Sequence, residues 1–301
     1  MANSNGWGDG AANNSIGWGQ GANNAIGWGD SHARSWAGDT DIVGFDADAQ
    51  AFITAAAITN PTQQAAIDAL VKDMKADGVW TKMKAVYPFV GGTASTHKFN
   101  LKDPRDLDAA FRLVFNGGWT HSAQGATPNG TNGYADTRLV PNTQLTLNSV
   151  SFSAYSRNDF TPALDQSLGC SSNPINLPLL AFSFDPTKFV RSFVYSYNTP
   201  DVIVSATGLN FSGLFTTTRT AANNAKIFRN TTQLAAVTTQ GQTTQPTNNF
   251  FFGAFNGGPG ISNYSSFQYA FAHIGNGLTD TEAANLYTRV QAFQTALSRQ
   301  I

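Results

Sequence analysis

Hydrophobic and polar positions along the chain divide it into four patterns. The first is a repeat with a period near ten. It runs Asn5-Gly6-Trp7-Gly8-Asp9, then Asn13-Asn14-Ser15-Ile16-Gly17-Trp18-Gly19-Gln20, then Asn23-Asn24-Ala25-Ile26-Gly27-Trp28-Gly29-Asp30, with a degenerate copy that keeps Trp36 and Gly38. The tryptophans stand 11, 10 and 8 residues apart. Gly on both sides of Trp7, Trp18 and Trp28 costs a helix about 1 kcal/mol apiece, so no helix is expected. Evenly spaced aromatics between glycines predict a strand-and-turn repeat whose rings pack on a partner; the alternative is a flexible low-complexity tail. Trp7, Ile16, Trp18, Ile26, Trp28 and Trp36 are then the candidate anchor and oligomer contacts. Such short repeats gain most by packing around an axis, which predicts a homo-oligomer, with a trimer favoured.

The second pattern has helical spacing. Ala49, Phe52, Ile53 and Ala56 share one face of a helix over 45–58. Asn60 and Pro61 form an N-cap followed by proline at the first helical position, and Ile67, Leu70, Val71 and Met74 follow on one stripe. Gly78 is placed to end that helix. The helical reading then extends through Trp80, Met83 and Val86 to Pro88, making 43–96 a helical linker.

From residue 97 the pattern turns to short apolar or alternating runs. They occupy 109–115, 145–156, 178–184, 188–197, 201–206, 213–219, 225–229, 233–238, 249–255 and 265–274. Turn clusters such as Asn116-Gly117-Gly118, Pro128-Asn129-Gly130 and Asn256-Gly257-Gly258-Pro259-Gly260 separate them. Many short strands with antiparallel-type turns predict a mainly β fold, an antiparallel β-sandwich or jelly roll over 97–301. The last pattern is helical again. Thr279 and Glu282 make a capping box, and Ala283, Leu286, Val290, Phe293 and Leu297 recur at spacings of three and four. That stripe packs on the sandwich or forms an interchain seam, the first being favoured. The chain thus reads as a repeat tail (1–42), a helical linker (43–96) and a sandwich closed by a C-terminal helix (97–301).

Composition narrows what this architecture does. Charged residues are only 12% of 301, about half the usual share of roughly 25%. Net charge is −1, which gives no electrostatic case for nucleic acid or an anionic membrane. No apolar run reaches the roughly 20 residues of a membrane span, and the N-terminus lacks a basic-then-apolar leader. A soluble protein assembled in a cytoplasm is the expectation. Cys170 is the sole cysteine, so neither an internal disulfide nor a cysteine zinc cluster is available, and a loop thiol is expected.

Chemistry is sparse. Glu282 is the one glutamate among 19 acidic residues, and its place three residues after Thr279 marks it as a helix cap. Glycoside hydrolysis on a sandwich uses paired carboxylates. Here Asp136, Asp159, Asp165, Asp185 and Asp201 are scattered singly through loops. His97, His121 and His273 have no metal-ligand spacing, His32 lies in the tail, and no Gly-x-Ser-x-Gly elbow is present. No catalytic residue, metal or cofactor is expected. Binding has a better candidate in the Gly/Asn-rich loop 116–137. There, Trp119 and Tyr134 can stack on sugar rings while His121, Asn129 and Asn132 bond hydroxyls; the alternative is a structural loop with buried rings.

Three segments carry a family resemblance. Ala225-Lys226-Ile227-Phe228-Arg229-Asn230 resembles the strand and Asn-containing hairpin of laminin-G or concanavalin A-like domains. Asn249-Phe250-Phe251-Phe252-Gly253 is similar to their strand ending in Gly. Phe267-Gln268-Tyr269-Ala270-Phe271-Ala272-His273-Ile274 before Leu278-Thr279-Asp280-Thr281-Glu282 resembles their closing strand, turn and helix. The acidic residue that often follows the Gly is absent, so a shared calcium site is not implied.

The whole chain also resembles structural proteins of bacteriophage particles. Three segments carry this likeness: Trp80-Thr81-Lys82-Met83-Lys84-Ala85-Val86-Tyr87-Pro88, Ala94-Ser95-Thr96-His97-Lys98-Phe99-Asn100-Leu101 and Asn129-Gly130-Thr131-Asn132-Gly133-Tyr134-Ala135-Asp136-Thr137. This resemblance implies a location in the virion and says little about chemistry. Together with the missing catalytic residues and the candidate loop, the expectation is a non-enzymatic structural protein of head, collar, fibre or spike type, whose partners are other virion proteins and a host surface polysaccharide. A glycan depolymerase on the same fold and a purely decorative capsid protein are the alternatives.

Overall fold

The computed structural model describes residues 44–162, 166–172, 180–194, 202–204, 207–238 and 244–301. The repeat therefore lies outside the described residues, as do Trp7, Ile16, Trp18, Ile26, Trp28 and Trp36 and the expected anchoring. Phe45–Ile301 forms one compact unit.

The helices are α1 (Ala47–Ala55), α2 (Pro61–Ala76), the short α3 (Ala94–His97) and α4 (Pro141–Gln144), and α5 (Asp280–Ala296). The strands are β1 (Met83–Tyr87), β2 (Val114–Asn116), β3 (Trp119–Ser122), β4 (Gly125–Pro128), β5 (Tyr134–Asp136), β6 (Val150–Ser156) and β7 (Gln166–Cys170). Then come β8 (Leu180–Phe184), β9 (Val190–Val194), β10 (Val202–Val204), β11 (Gly213–Ala221), β12 (Asn224–Arg229) and β13 (Thr232–Val237). The last are β14 (Phe251–Phe252), β15 (Phe255–Asn256), β16 (Ile261–Ser262) and β17 (Phe271–Gly275).

One antiparallel sheet has the order β1-β17-β6-β11-β12-β13. A second has the order β10-β9-β8-β7-β14-β5-β2, with β15 joined to β7 and β16 to β15. The mainly β sandwich expected from the alternating runs is what the chain forms. Between the sheets lies a Phe-rich core that includes Phe152, Phe182, Phe184, Phe211, Phe215, Phe250, Phe252 and Phe267. Most of their rings meet edge-on or tilted, as in Phe152–Phe182 at 4.6 Å and Phe184–Phe215 at 5.8 Å and 83°, while Phe184 and Phe267 stack at 5.0 Å.

A third layer of helices covers the outer face of the six-stranded sheet. In β6, Val150, Phe152 and Ala154 point into the inter-sheet core, while Tyr155 points out to a second core. That second core joins the sheet's Leu214, Phe228 and Phe271 to Ile67, Leu70 and Met74 of α2 and to Leu286, Val290 and Phe293 of α5. Every residue of β6 and β17 is buried, because both faces of the sheet are covered. The stripe on α5 thus packs on its own chain.

The helical starts behave as their sequences dictate. Asn60 accepts from the Gln63 amide at 3.1 Å, and Thr279 and Glu282 bond reciprocally across the α5 N-terminus. Gly78 sits at φ +75° just after α2, with its amide on Lys75 O. The helical reading fails after that point. Val79–Lys82 is a single 3-10 turn, and Met83–Tyr87 is β1, the edge strand beside β17. The expected break at residue 97 is also absent, since α1, α2 and β1 are built into the same compact unit as the sandwich. Cys170 is another difference: it ends β7, fully buried, instead of lying in a loop.

Candidate functional site

The loop singled out between residues 116 and 137 folds into an antiparallel hairpin, β3–β4, flanked by β2 and β5, which pair with each other. Ala126 of β4 exchanges two backbone hydrogen bonds with Tyr269, at 2.8 and 2.9 Å, which ties down the turn end of the hairpin. Two asparagines organise the open end. Asn129 Oδ1 accepts from the amides of Thr131, Asn132 and Gly133, each at 3.0 Å. Its Nδ2 donates to Asn132 Oδ1 at 2.8 Å, and that oxygen also accepts from the Gly118 amide at 2.9 Å. Backbone approach here is so close that a Cβ on Gly117 would strike Asn132 O, and Gly117 also has φ +66°.

The five candidate residues are therefore brought together, with much of their polar capacity used inside the protein. Trp119 Nε1 donates to Asn116 O at 3.1 Å and to Tyr134 O at 3.2 Å. Its ring meets Phe115, His121 and Tyr269 at centroid distances of 5.1, 6.1 and 6.1 Å. Tyr134 stacks on Phe251 at 4.8 Å and 21°. Trp119, His121 and Tyr134 stay half-buried, and Asn129 and Asn132 are exposed. The exposed residues of this region include Thr120, Asn129, Thr131 and Asn132, while the rings of Trp119, His121 and Tyr134 are only partly accessible.

His121 also has a partner from outside the loop. Its Nδ1 lies 2.9 Å from Nδ1 of His97, the last residue of α3. His97 is 1% exposed, and burial, with His121 and Arg299 nearby, lowers its pKa to about 3. Burial lowers that of His121 as well. Arg299, two residues before Ile301, is also buried beside this cluster, and desolvation lowers its pKa to about 9. Its guanidinium donates to Phe89 O, Pro88 O, Ala270 O and Gln294 Oε1 at 2.8 to 3.2 Å.

The acidic candidates sit apart, each with local duties. Glu282 Oε2 accepts from the Thr279 amide at 2.8 Å, and Oε1 is 3.3 Å from Lys82 Nζ. Burial opposes its ionisation, but those hydrogen bonds and Lys82 outweigh it and hold its pKa below the ordinary value. Asp136 accepts from the Arg138 amide and from Asn249 Nδ2. Asp159 accepts from the Phe211 amide at 2.8 Å and pairs with Lys188 at 2.6 Å. Asp185 accepts from the Thr187 amide at 2.7 Å. Asp165 and Asp201 lie outside the described residues.

His273 is fully buried in the six-stranded sheet between Ser151 (Nε2 to Oγ, 2.9 Å) and Ser153 (Nδ1 to Oγ, 2.5 Å). Burial lowers its pKa to about 3 and raises that of the Cys170 thiol well above its usual value. Among the described residues, no three His, Cys, Asp or Glu side chains are grouped to hold a metal, and no helix is long and apolar enough to cross a membrane.

No protein-family model matches the chain, and no curated protein does so significantly. Among solved structures it is similar to a mutant of Trypanosoma rangeli sialidase displaying trans-sialidase activity, at 11% identity and TM-score 0.45, over 74% of this chain and 39% of that one. It is also similar to domain 4 of a GH43 extracellular arabinanase from Geobacillus stearothermophilus, in complex with arabinotriose, at 12% identity and TM-score 0.47, over 68% and 98%. A third is botulinum neurotoxin type C, whose cell entry depends on two ganglioside molecules, at 10% identity and TM-score 0.47, over 71% and 53%. The chain spans well under half the length of the sialidase chain. These likenesses are of sandwich architecture alone.

Proposed function

We propose that the chain is a non-enzymatic structural protein of a bacteriophage particle, which displays its sandwich for surface contact, including attachment to host glycans. The observation that carries this reading is where its carboxylates go. Glycoside hydrolysis in most families uses one carboxylic acid kept protonated and a second carboxylate facing it across the sugar. Glu282 is instead a helix cap held ionised by Thr279 and Lys82. Asp136, Asp159 and Asp185 each hold backbone amides in separate turns. A surface poor in charge and rich in amides and hydroxyls suits contact between subunits and with sugars. The periodic tryptophans of 1–42 supply the anchor to other virion proteins and the axis of a homo-oligomer, a trimer in this reading. The mature protein would then reside in the virion after assembly in the host cytoplasm.

Two measurements test the reading. Full-length protein incubated with host surface polysaccharide is expected to release no new reducing ends while remaining bound to it. Sustained release that a single Asp→Asn substitution abolishes would favour a depolymerase. For attachment, Tyr134→Ala removes a half-buried aromatic ring beside the exposed asparagines and should weaken retention on the polysaccharide by about 1 to 3 kcal/mol if it behaves as an interfacial aromatic. Retention unchanged in Tyr134→Ala and in Thr131→Ala would move the contact away from the hairpin.

A further inference from the structure

The His97–His121 contact joins α3 to the β3–β4 hairpin, and the proposed attachment role does not use it. Its hydrogen count is fixed by the neighbours. The Gly92 amide donates to His97 Nε2 at 3.2 Å, so that nitrogen carries a lone pair. A neutral His97 therefore bears its proton on Nδ1. At 2.9 Å from it, His121 Nδ1 can only accept, and the His121 proton sits on Nε2. This arrangement excludes a two-histidine metal chelate, because one of the two facing nitrogens is already protonated.

It also leaves no harmless place for an added proton. On His121 the proton goes to Nδ1, where it confronts the Nδ1–H of His97. On His97 it goes to Nε2, where it confronts the Gly92 N–H. The surroundings resist either charge. Arg299 holds a buried guanidinium on Phe89 O and Ala123 O, the segments that flank the pair. Lys98, next along the chain, is paired with Asp106, and Arg112 with Asp106 and Asp108. The Tyr269 hydroxyl accepts from the Gly253 amide. The remaining contacts of the two rings are aromatic: Phe89 at 5.6 Å on His97, and Phe115 at 4.6 Å and Trp119 at 6.1 Å on His121. Among the described residues neither imidazole has a carboxylate partner.

We infer that the His97–His121 pair is an acid-sensitive latch, whose protonation releases the β3–β4 hairpin from α3 and uncovers Phe115 and Trp119. His121 is the entry point, being half-buried where His97 is enclosed. The hairpin can move without unfolding the sandwich. It is a two-stranded sheet of its own whose open end is closed by the Asn129–Gly118 bond. It is tied to the rest by the Ala126–Tyr269 bridge next to its turn, by Arg299 on Ala123 O and by Trp119 Nε1 on Asn116 O and Tyr134 O.

The test is hydrogen exchange of the full-length protein between pH 7 and pH 4, read by mass spectrometry and corrected for intrinsic rates. Opening that takes up one proton becomes about tenfold more populated per pH unit of acidification. Peptides covering 118–128 should lose protection with that dependence, while those of β6, β11 and β17 keep theirs. In His121→Asn, the amide oxygen can still accept from His97 but does not titrate, and the hairpin should stay protected to lower pH. Should that variant not fold, 15N imidazole spectra of the unaltered protein decide the matter at pH 7. Nδ1–H on His97 and Nε2–H on His121 support the latch, and Nδ1–H on His121 overturns it. Equal loss of protection in the variant and the unaltered protein, or a hairpin indifferent to pH, likewise overturns it.

Discussion

Two fully buried polar residues show how this charge-poor chain spends the few strong hydrogen-bonding groups it has. Asn100 completes the open edge of β1 as a missing strand would. Its Oδ1 accepts from the amides of Val86 (2.8 Å) and Lys102 (3.0 Å), and its Nδ2 donates to Ala110 O (3.0 Å) and Lys84 O (3.3 Å). A buried donor or acceptor left without a partner costs about 1 to 3 kcal/mol. Asn100→Ala orphans several at once, so urea unfolding should register a loss of roughly 2 to 4 kcal/mol. Asn100→Asp keeps the acceptor and sets a carboxylate oxygen against Ala110 O, so it should recover only part of that loss. Arg299 plays the same part at the C-terminus, with a charge added. Removing it abandons the carbonyls of Pro88 and Phe89 together, and Arg299→Ala should cost roughly 3 kcal/mol or more. Lysine has the charge without the planar fork, so Arg299→Lys should be nearly as damaging. If lysine restored stability, the charge and not the geometry would be what matters.

At the scale of elements, the parts with strict local rules were legible in the chain. The α2 start at Asn60-Pro61, its end at Gly78 and the α5 capping box all depend on nearest neighbours, and each forms as written. Thr279→Ala should therefore cost about 1 kcal/mol, the usual value of a cap, measurable as a shift in urea midpoint at unchanged slope. The β1 strand was misread because Trp80, Met83 and Val86 fit a helical stripe. What decides its state is non-local: pairing with β17 and closure by Asn100. The hairpin β3–β4 was missed for the opposite reason. Its Trp119-Thr120-His121-Ser122 run lacks a β-branched apolar pattern, and its stability comes from aromatic contacts with Phe115 and Tyr269. The candidate patch was correctly gathered into one place by its Gly and Asn content. The partners of the His121 ring nitrogen and of the Trp119 ring were not legible, because His97 and Tyr269 lie outside the loop.

For the whole molecule, the covered six-stranded sheet has a consequence for acid stability that is separate from the hairpin. Ser151 Oγ donates to Asn276 O at 2.6 Å, which leaves it to accept from His273 Nε2–H, while His273 Nδ1 accepts from Ser153. The imidazole is thus complete as a neutral group, and helices and strands enclose it on every side. Burial sets its pKa at about 3 in the folded state, against about 6.5 when unfolded. Between those values the unfolded chain binds the extra proton and the folded chain does not. Stability therefore falls as pH drops below about 6.5, by about 1.4 kcal/mol per pH unit for this residue. His97 adds a similar slope, since its folded pKa is also about 3. Urea unfolding at a series of pH values from 7 to 4.5 should show the combined dependence. His273→Gln can still bridge the two serines but does not titrate, so it should remove about half of that slope while leaving the exchange of residues 118–128 as acid-sensitive as before. His121→Asn should do the reverse, relieving the hairpin while the fold keeps the slope set by His273 and His97. If His273→Gln left the slope unchanged, the sheet histidine would have to be charged in the folded protein, and its two serines would be arranged otherwise.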